Sequence, residues 1–170
     1  MIVDWWHINS QVRFDDSVAL TWHIFPGRYL IDLGYAASWY DAKGACAAIG
    51  GHLPTVQTRT QMNEITSLVV NSVTRIWVGG NDEVSEGSFR WESGEPFNVD
   101  ASLWGSGQPD NFNGENCIEI VLTTVDYIND ENCFNTRHVV CERKNGWNEY
   151  VFEQKHISWR MSSPMLFVEF

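Results

Sequence analysis

The sequence predicts an α+β domain, and three observations carry that expectation. Two stretches carry helix-capping signals. Several short apolar runs have the length and residue types of strands. Between two of those runs lies a long polar segment, Gly80 to Asn116, rich in Gly, Pro, Asn, Asp and Glu. Two helices followed by a long loop framed by short strands fit α+β layering.

Taken in order, "GRYLIDL", Gly27 to Leu33, reads as a strand. "SWYDAKGACAAIGG" reads as a helix, with Ser38 as N-cap, Asp41 three residues on, Gly50 and Gly51 at its end, and an apolar face of Ala, Cys46 and Ile49. A second helix is expected after Thr58, with Gln61 completing a capping box, running to about Val70. "RIWVG", Arg75 to Gly79, is a short buried strand. After the polar segment, "CIEIVL" alternates like a strand, and "RHVVCER" is the last one of the domain. Toward the ends of the chain, "VALTWHIF", Val18 to Phe25, and "MLFVEF", Met165 to Phe170, also look like strands. They are candidate surfaces for a homo-oligomer.

Composition narrows the function classes. The chain has 170 residues, 44% hydrophobic and 14% aromatic with nine Trp, enough to bury a core and too apolar for disorder. Its net charge of −11 argues against nucleic acid, because phosphate binding needs Lys and Arg. No apolar run approaches the ~18 residues of a membrane span. The start, "MIVDWWHINS", lacks the basic and apolar regions of a signal peptide.

Four Cys, at 46, 117, 133 and 141, read as two disulfides in an oxidising compartment, so a secreted or extracellular location is expected. Four Cys allow three pairings. Cys117–Cys133 would close a short loop and Cys46–Cys141 would tie the ends of the domain, each worth ~3–5 kcal/mol in the chain-entropy model.

The polar segment crowds oxygen donors. Asp82, Glu86, Asp110 and Glu115 are carboxylates, and Asp130 follows. Gln108, Asn111, Asn116 and Asn129 offer amide oxygens. Hard cations such as Ca²⁺ take about six to eight such oxygens. A loop this long inside a domain needs something to organise it. A cis bond before Pro109 would turn Gln108 and Asp110 toward one point. A merely solvated acidic loop is the plain alternative. Catalysis is not expected: the five His are scattered and no nucleophile motif or phosphate loop is present; paired carboxylates could hydrolyse a glycoside, but acidic loops are common and sequence does not reveal such a pair. His138, in an apolar strand, reads as structural.

These residues, taken together, resemble the C-type lectin-like domain. The matching features run in order: Cys46 in the first helix, "GGHLPTV", "WVGGNDEVSEGSFRW", Trp104, "GQPD" at Gly107 to Asp110, "ENC" at Glu115 to Cys117, "IND" at Ile128 to Asp130, Cys133, and "VVCE" ending at Glu142. The resemblance covers 27–143, leaving 1–26 and 144–170 as terminal extensions. It implies two helices, small antiparallel sheets, a long calcium-binding loop, and the pairing Cys46–Cys141 with Cys117–Cys133.

The resemblance also implies a function. Calcium-dependent, non-enzymatic carbohydrate binding is expected, with a rival reading in which the fold serves protein interaction or self-assembly and calcium is only structural. Its sugar-bearing calcium site falls on Gln108, Asp110, Glu115, Asn129 and Asp130. A second calcium site falls on Asp82, Glu86, Asn111, Glu115 and Asn116. The Gln-Pro-Asp order looks like the galactose type, which implies glycans ending in galactose or N-acetylgalactosamine, and Phe112 just after it would stack on the sugar. Two departures stand out: Ile128 occupies a position where the family commonly has Trp, and Asn111 and Asn116 replace acids often found there.

Overall fold

The computed structural model describes residues 21–144. β1 (His23–Phe25) and β2 (Arg28–Ala37) pair antiparallel around a Pro26–Gly27 turn, with Phe25 opposite Arg28. Gly27 has φ +81°, the left-handed value required after Pro in this turn. β1 lies in the segment expected as an extension, so the sheet starts before Gly27. The expected strand at Met165 to Phe170 lies outside the described residues, as do positions 18–20 of the other terminal run.

α1 (Trp39–Ala48) starts as the sequence predicts. The Ser38 hydroxyl accepts from the Asp41 amide, and Ile49 caps the other end before Gly50. α2 (Arg59–Thr66) starts at Thr58, whose hydroxyl accepts from the Gln61 amide, while Gln61 Oε1 reaches back to the Gln57 amide at 2.7 Å. It ends at Thr66, short of the expected Val70. The hydroxyls of Thr66 and Ser67 donate to the carbonyls of Asn63 and Glu64, taking the last-turn acceptors, and the β-branched Val69 and Val70 that follow are weak helix formers.

The remaining strands are β3 (Arg75–Asn81), β4 (Arg90–Trp91), β5 (Cys117–Val121), β6 (Tyr127–Glu131) and β7 (Arg137–Lys144). They form one seven-stranded sheet in the order β1-β2-β7-β3-β5-β6, with β4 on β3. It consists of two antiparallel groups, joined where β7 and β3 run parallel and His138 faces Ile76. The joint makes a mixed sheet of what the resemblance describes as separate antiparallel ones.

Both faces of the sheet are covered, which explains why its central strands read as nearly continuous apolar runs. On one face Ile31, Trp77 and Val139 pack with Trp39, Ala42 and Cys46 of α1. On the other, Leu30, Ile76, Ile118 and Val140 pack with Met62 and Ile65 of α2 and with Trp91 and Leu103 from the long loop. Disulfides join Cys46 to Cys141 and Cys117 to Cys133, the pairing the resemblance implies. The first ties α1 to β7, and the second brackets the β5–β6 hairpin. His138 Nε2 lies 2.6 Å from Asp32 Oδ1, a cross-strand contact consistent with a structural role. No helix among the described residues is long and apolar enough to cross a membrane.

Candidate functional site

The long loop reaches β6 at a cluster of carboxylates. One oxygen from each of Asp110, Glu115 and Asp130 lies within 4.8 Å of the others. Ca–O distances of about 2.3–2.6 Å put oxygens on opposite sides of one ion about 5 Å apart, so this spacing suits a shared cation. Asp130 is buried in β6, Glu115 is partly buried beside β5, and Asp110 is exposed on the loop.

Local backbone builds this convergence. The Gln108–Pro109 bond is cis. The amides of Asp110 and Asn111 both donate to the Asp130 carboxylate, at 3.2 and 2.7 Å, and the Phe112 amide donates to Asp110 Oδ1 at 3.1 Å. Asn111 and Asn113 sit at φ +47° and +58°, the left-handed region that Asn tolerates better than other side chains. The chain therefore turns tightly around Asp130.

The electrostatics show what the cluster lacks. Burial pushes the Glu115 carboxyl up to about 7, and repulsion from Glu131, Asp130 and Asp110 adds to it, with a hydrogen bond to Glu131. Gln108 Oε1 and Asn111 Oδ1 are buried with no hydrogen-bond partner among the described residues. Buried acceptors left unpaired are costly; cations bound beside such oxygens would satisfy them, and one shared by the three carboxylates would offset their charge. The donor set is all oxygen, as a hard cation requires, so these residues fit Ca²⁺.

The lectin C-type domain family matches residues 35–143. The chain belongs to that family. As a C-type lectin domain, it is 39% identical over 85 residues to the galactose-specific lectin nattectin of Thalassophryne nattereri, covering 48% of this chain and 52% of that protein. It is 29% identical over 102 residues to human C-type lectin domain family 4 member D, covering 60% of this chain and 47% of that one. The chain thus spans about half the length of these relatives. The solved C-type lectin domain of murine dendritic cell inhibitory receptor 2, in complex with N-glycan, superposes with a TM-score of 0.65 at 26% identity, over 76% of this chain and 100% of that one. A calcium-independent type II antifreeze protein superposes equally well, with a TM-score of 0.65 at 21% identity over 75% and 98% of the two chains. That likeness speaks to fold alone.

Other sequence-predicted residues of this lectin domain fall as follows. Asn129 lies in β6 next to Asp130. Phe112 is 68% exposed, so it does not fold back into the core. Asp82, at the end of β3, is buried; its Oδ2 accepts from the Gly87 amide and its Oδ1 has no partner among the described residues. Its amide donates to the Asn116 carbonyl at 3.1 Å, which brings those two residues together. Glu86 is exposed, and neither it nor Asp82 joins the three-carboxylate cluster.

Sequence reasoning missed an ion-pair group behind the cluster. Glu119 in β5 is fully buried and pairs with both Arg75 and Arg137, and Arg137 also pairs with Glu131. Burial raises the Glu119 carboxyl while the two guanidiniums pull it down, and the net direction is upward. Alternation in "CIEIVL" sets Glu119 on the polar face between Ile118 and Ile120, so no local signal marked its burial; the covering of both faces of the sheet buries it.

Proposed function

We propose that this C-type lectin domain binds carbohydrate through calcium, and that its ligands end in galactose or N-acetylgalactosamine. The observation that carries the calcium reading is the pairing of three mutually repelling carboxylates with the unpartnered, buried Gln108 oxygen. In this reading Gln108, Asp110, Glu115, Asn129 and Asp130 hold the ion. The ion would supply coordination for two vicinal sugar hydroxyls. Each hydroxyl would donate to a carboxylate and accept from an amide N–H of the same residues. The exposed ring of Phe112 would cover the C–H face of the sugar.

Support for galactose comes from the Gln-Pro-Asp order and from nattectin, described as galactose-specific. A second ion held by Asp82, Glu86, Asn111, Glu115 and Asn116 has narrower support, the orphaned oxygens of Asp82 and Asn111. The two disulfides favour an extracellular setting.

The test is retention on immobilised galactose in calcium, elution by EDTA, and recovery when calcium is restored. Passage through the resin in calcium would reject the galactose reading. Calcium titration of the same protein then separates a lectin of other specificity from a fold that binds no ion.

A further inference from the structure

An amide that ligates a cation through its oxygen must be kept from rotating, because the flipped rotamer offers N–H donors to a positive charge. Asn129 meets that requirement through β5. In the β5–β6 ladder Glu119 is the direct partner of Asn129. Glu119 Oε1 accepts from Asn129 Nδ2 at 3.2 Å, and the same nitrogen lies 2.5 Å from the Asp130 carbonyl oxygen. Two acceptors flank that end of the amide, so only the NH₂ fits there. Asn129 Oδ1 is left as the end that neither acceptor holds.

Glu119 is itself fixed. It is fully buried, with Arg75 on Oε1 and Arg137 on Oε2. Arg137 also spans to Glu131, which accepts from the Asn132 amide at 2.9 Å and from Asn135 Nδ2 at 2.9 Å. The network joins β3, β5, β6 and β7 and ends on the residue next to Asp130. Nothing in the proposed ion site itself requires a buried carboxylate with two arginines at this place.

We propose that Glu119 is a positioning residue of the candidate site, acting through Asn129 to present the amide oxygen to the cation. This rests on the proposed role of Asn129 as an oxygen ligand. Outer partners of metal ligands typically change affinity by about 10–100-fold when removed.

The experiment compares wild type with Glu119→Gln, which keeps the shape but turns one acceptor into a donor facing other donors. Calcium affinity should fall about tenfold or more, with the variant still melting cooperatively and holding both disulfides. In metal-free wild type, the Asn129 side-chain amide protons should exchange slowly in NMR spectra, and in the variant they should exchange faster. A folded variant with wild-type calcium affinity overturns the proposal while leaving the calcium reading intact. Wild type that binds no calcium overturns both. If the variant does not fold, the wild-type spectrum decides: protected Asn129 protons support the proposal, and exchange like a free Asn overturns it.

Discussion

The main-chain amide of Asn111 donates to Asp130 Oδ2 across 2.7 Å, fastening the long loop to β6. A neighbouring bond from the Asp110 amide doubles the attachment. The Asp130 carboxylate thus orders the loop through hydrogen bonds while its negative charge adds to the repulsion within the cluster.

Calcium should relieve that conflict and raise the melting temperature. A ligand that binds only the native state at a hundredfold excess over its Kd stabilises by about 2.7 kcal/mol. Differential scanning calorimetry with calcium and with EDTA checks this. Identical melting temperatures would reject the cage.

The pH dependence follows from Glu115, whose pKa rises from an ordinary 4.5 to about 7. An acid with a raised folded pKa holds its proton more tightly folded than unfolded. Its contribution to the metal-free protein is therefore fully present below about 4.5 and lost as pH rises through about 7. Calcium needs the ionised form, so its binding should release a proton near pH 6 and almost none near pH 8. Calorimetry in two buffers of different ionisation enthalpy counts that proton, and Glu115→Gln should abolish it. Proton release that does not change between the two pH values contradicts the assignment.

Exchanging the ends of the Gln-Pro-Asp element should change the sugar. Gln108→Glu combined with Asp110→Asn swaps amide and acid, which reverses donor and acceptor directions around the ion. Preference on a glycan array should move from galactose toward mannose. An unchanged ranking removes this element from the specificity account.

Phe112→Ala should weaken galactose binding about tenfold, the effect of ~1.4 kcal/mol, and leave calcium affinity nearly unchanged. Phe112 is 68% exposed and its side chain supplies no oxygen. Joint loss of calcium and sugar, or a much lower melting temperature, would make Phe112 a loop anchor instead.

Legibility in the sequence followed the range of each signal. The start of α1 was plain because capping is local: Ser38 and Asp41 are three residues apart and hydrogen-bonded to each other. The end of α2 was less so, because apolar residues continue past it and the stop is made by two hydroxyls. β6 was hidden because "YINDE" carries the proposed ligands Asn129 and Asp130 and the ion-pair partner Glu131 where a half-buried strand would alternate with apolar residues. Asp110, Glu115 and Asp130 were readable from residue type and motif, yet their convergence depends on hydrogen bonds across 19 and 20 positions. Glu119 was missed because its partners, Arg75, Asn129 and Arg137, come together only through strand pairing.

The Cys117–Cys133 bracket gives the candidate site two halves with different tolerance to change. Asn129 and Asp130 stand on a hairpin closed covalently at its base and braced by Glu119 and Arg137. Gln108 to Glu115 stand on a loop attached chiefly by contacts to Asp130. Exchanging that loop for another of equal length would substitute one recognition cassette for another on an unaltered chassis, whereas a change in the hairpin would disturb every cassette it carries.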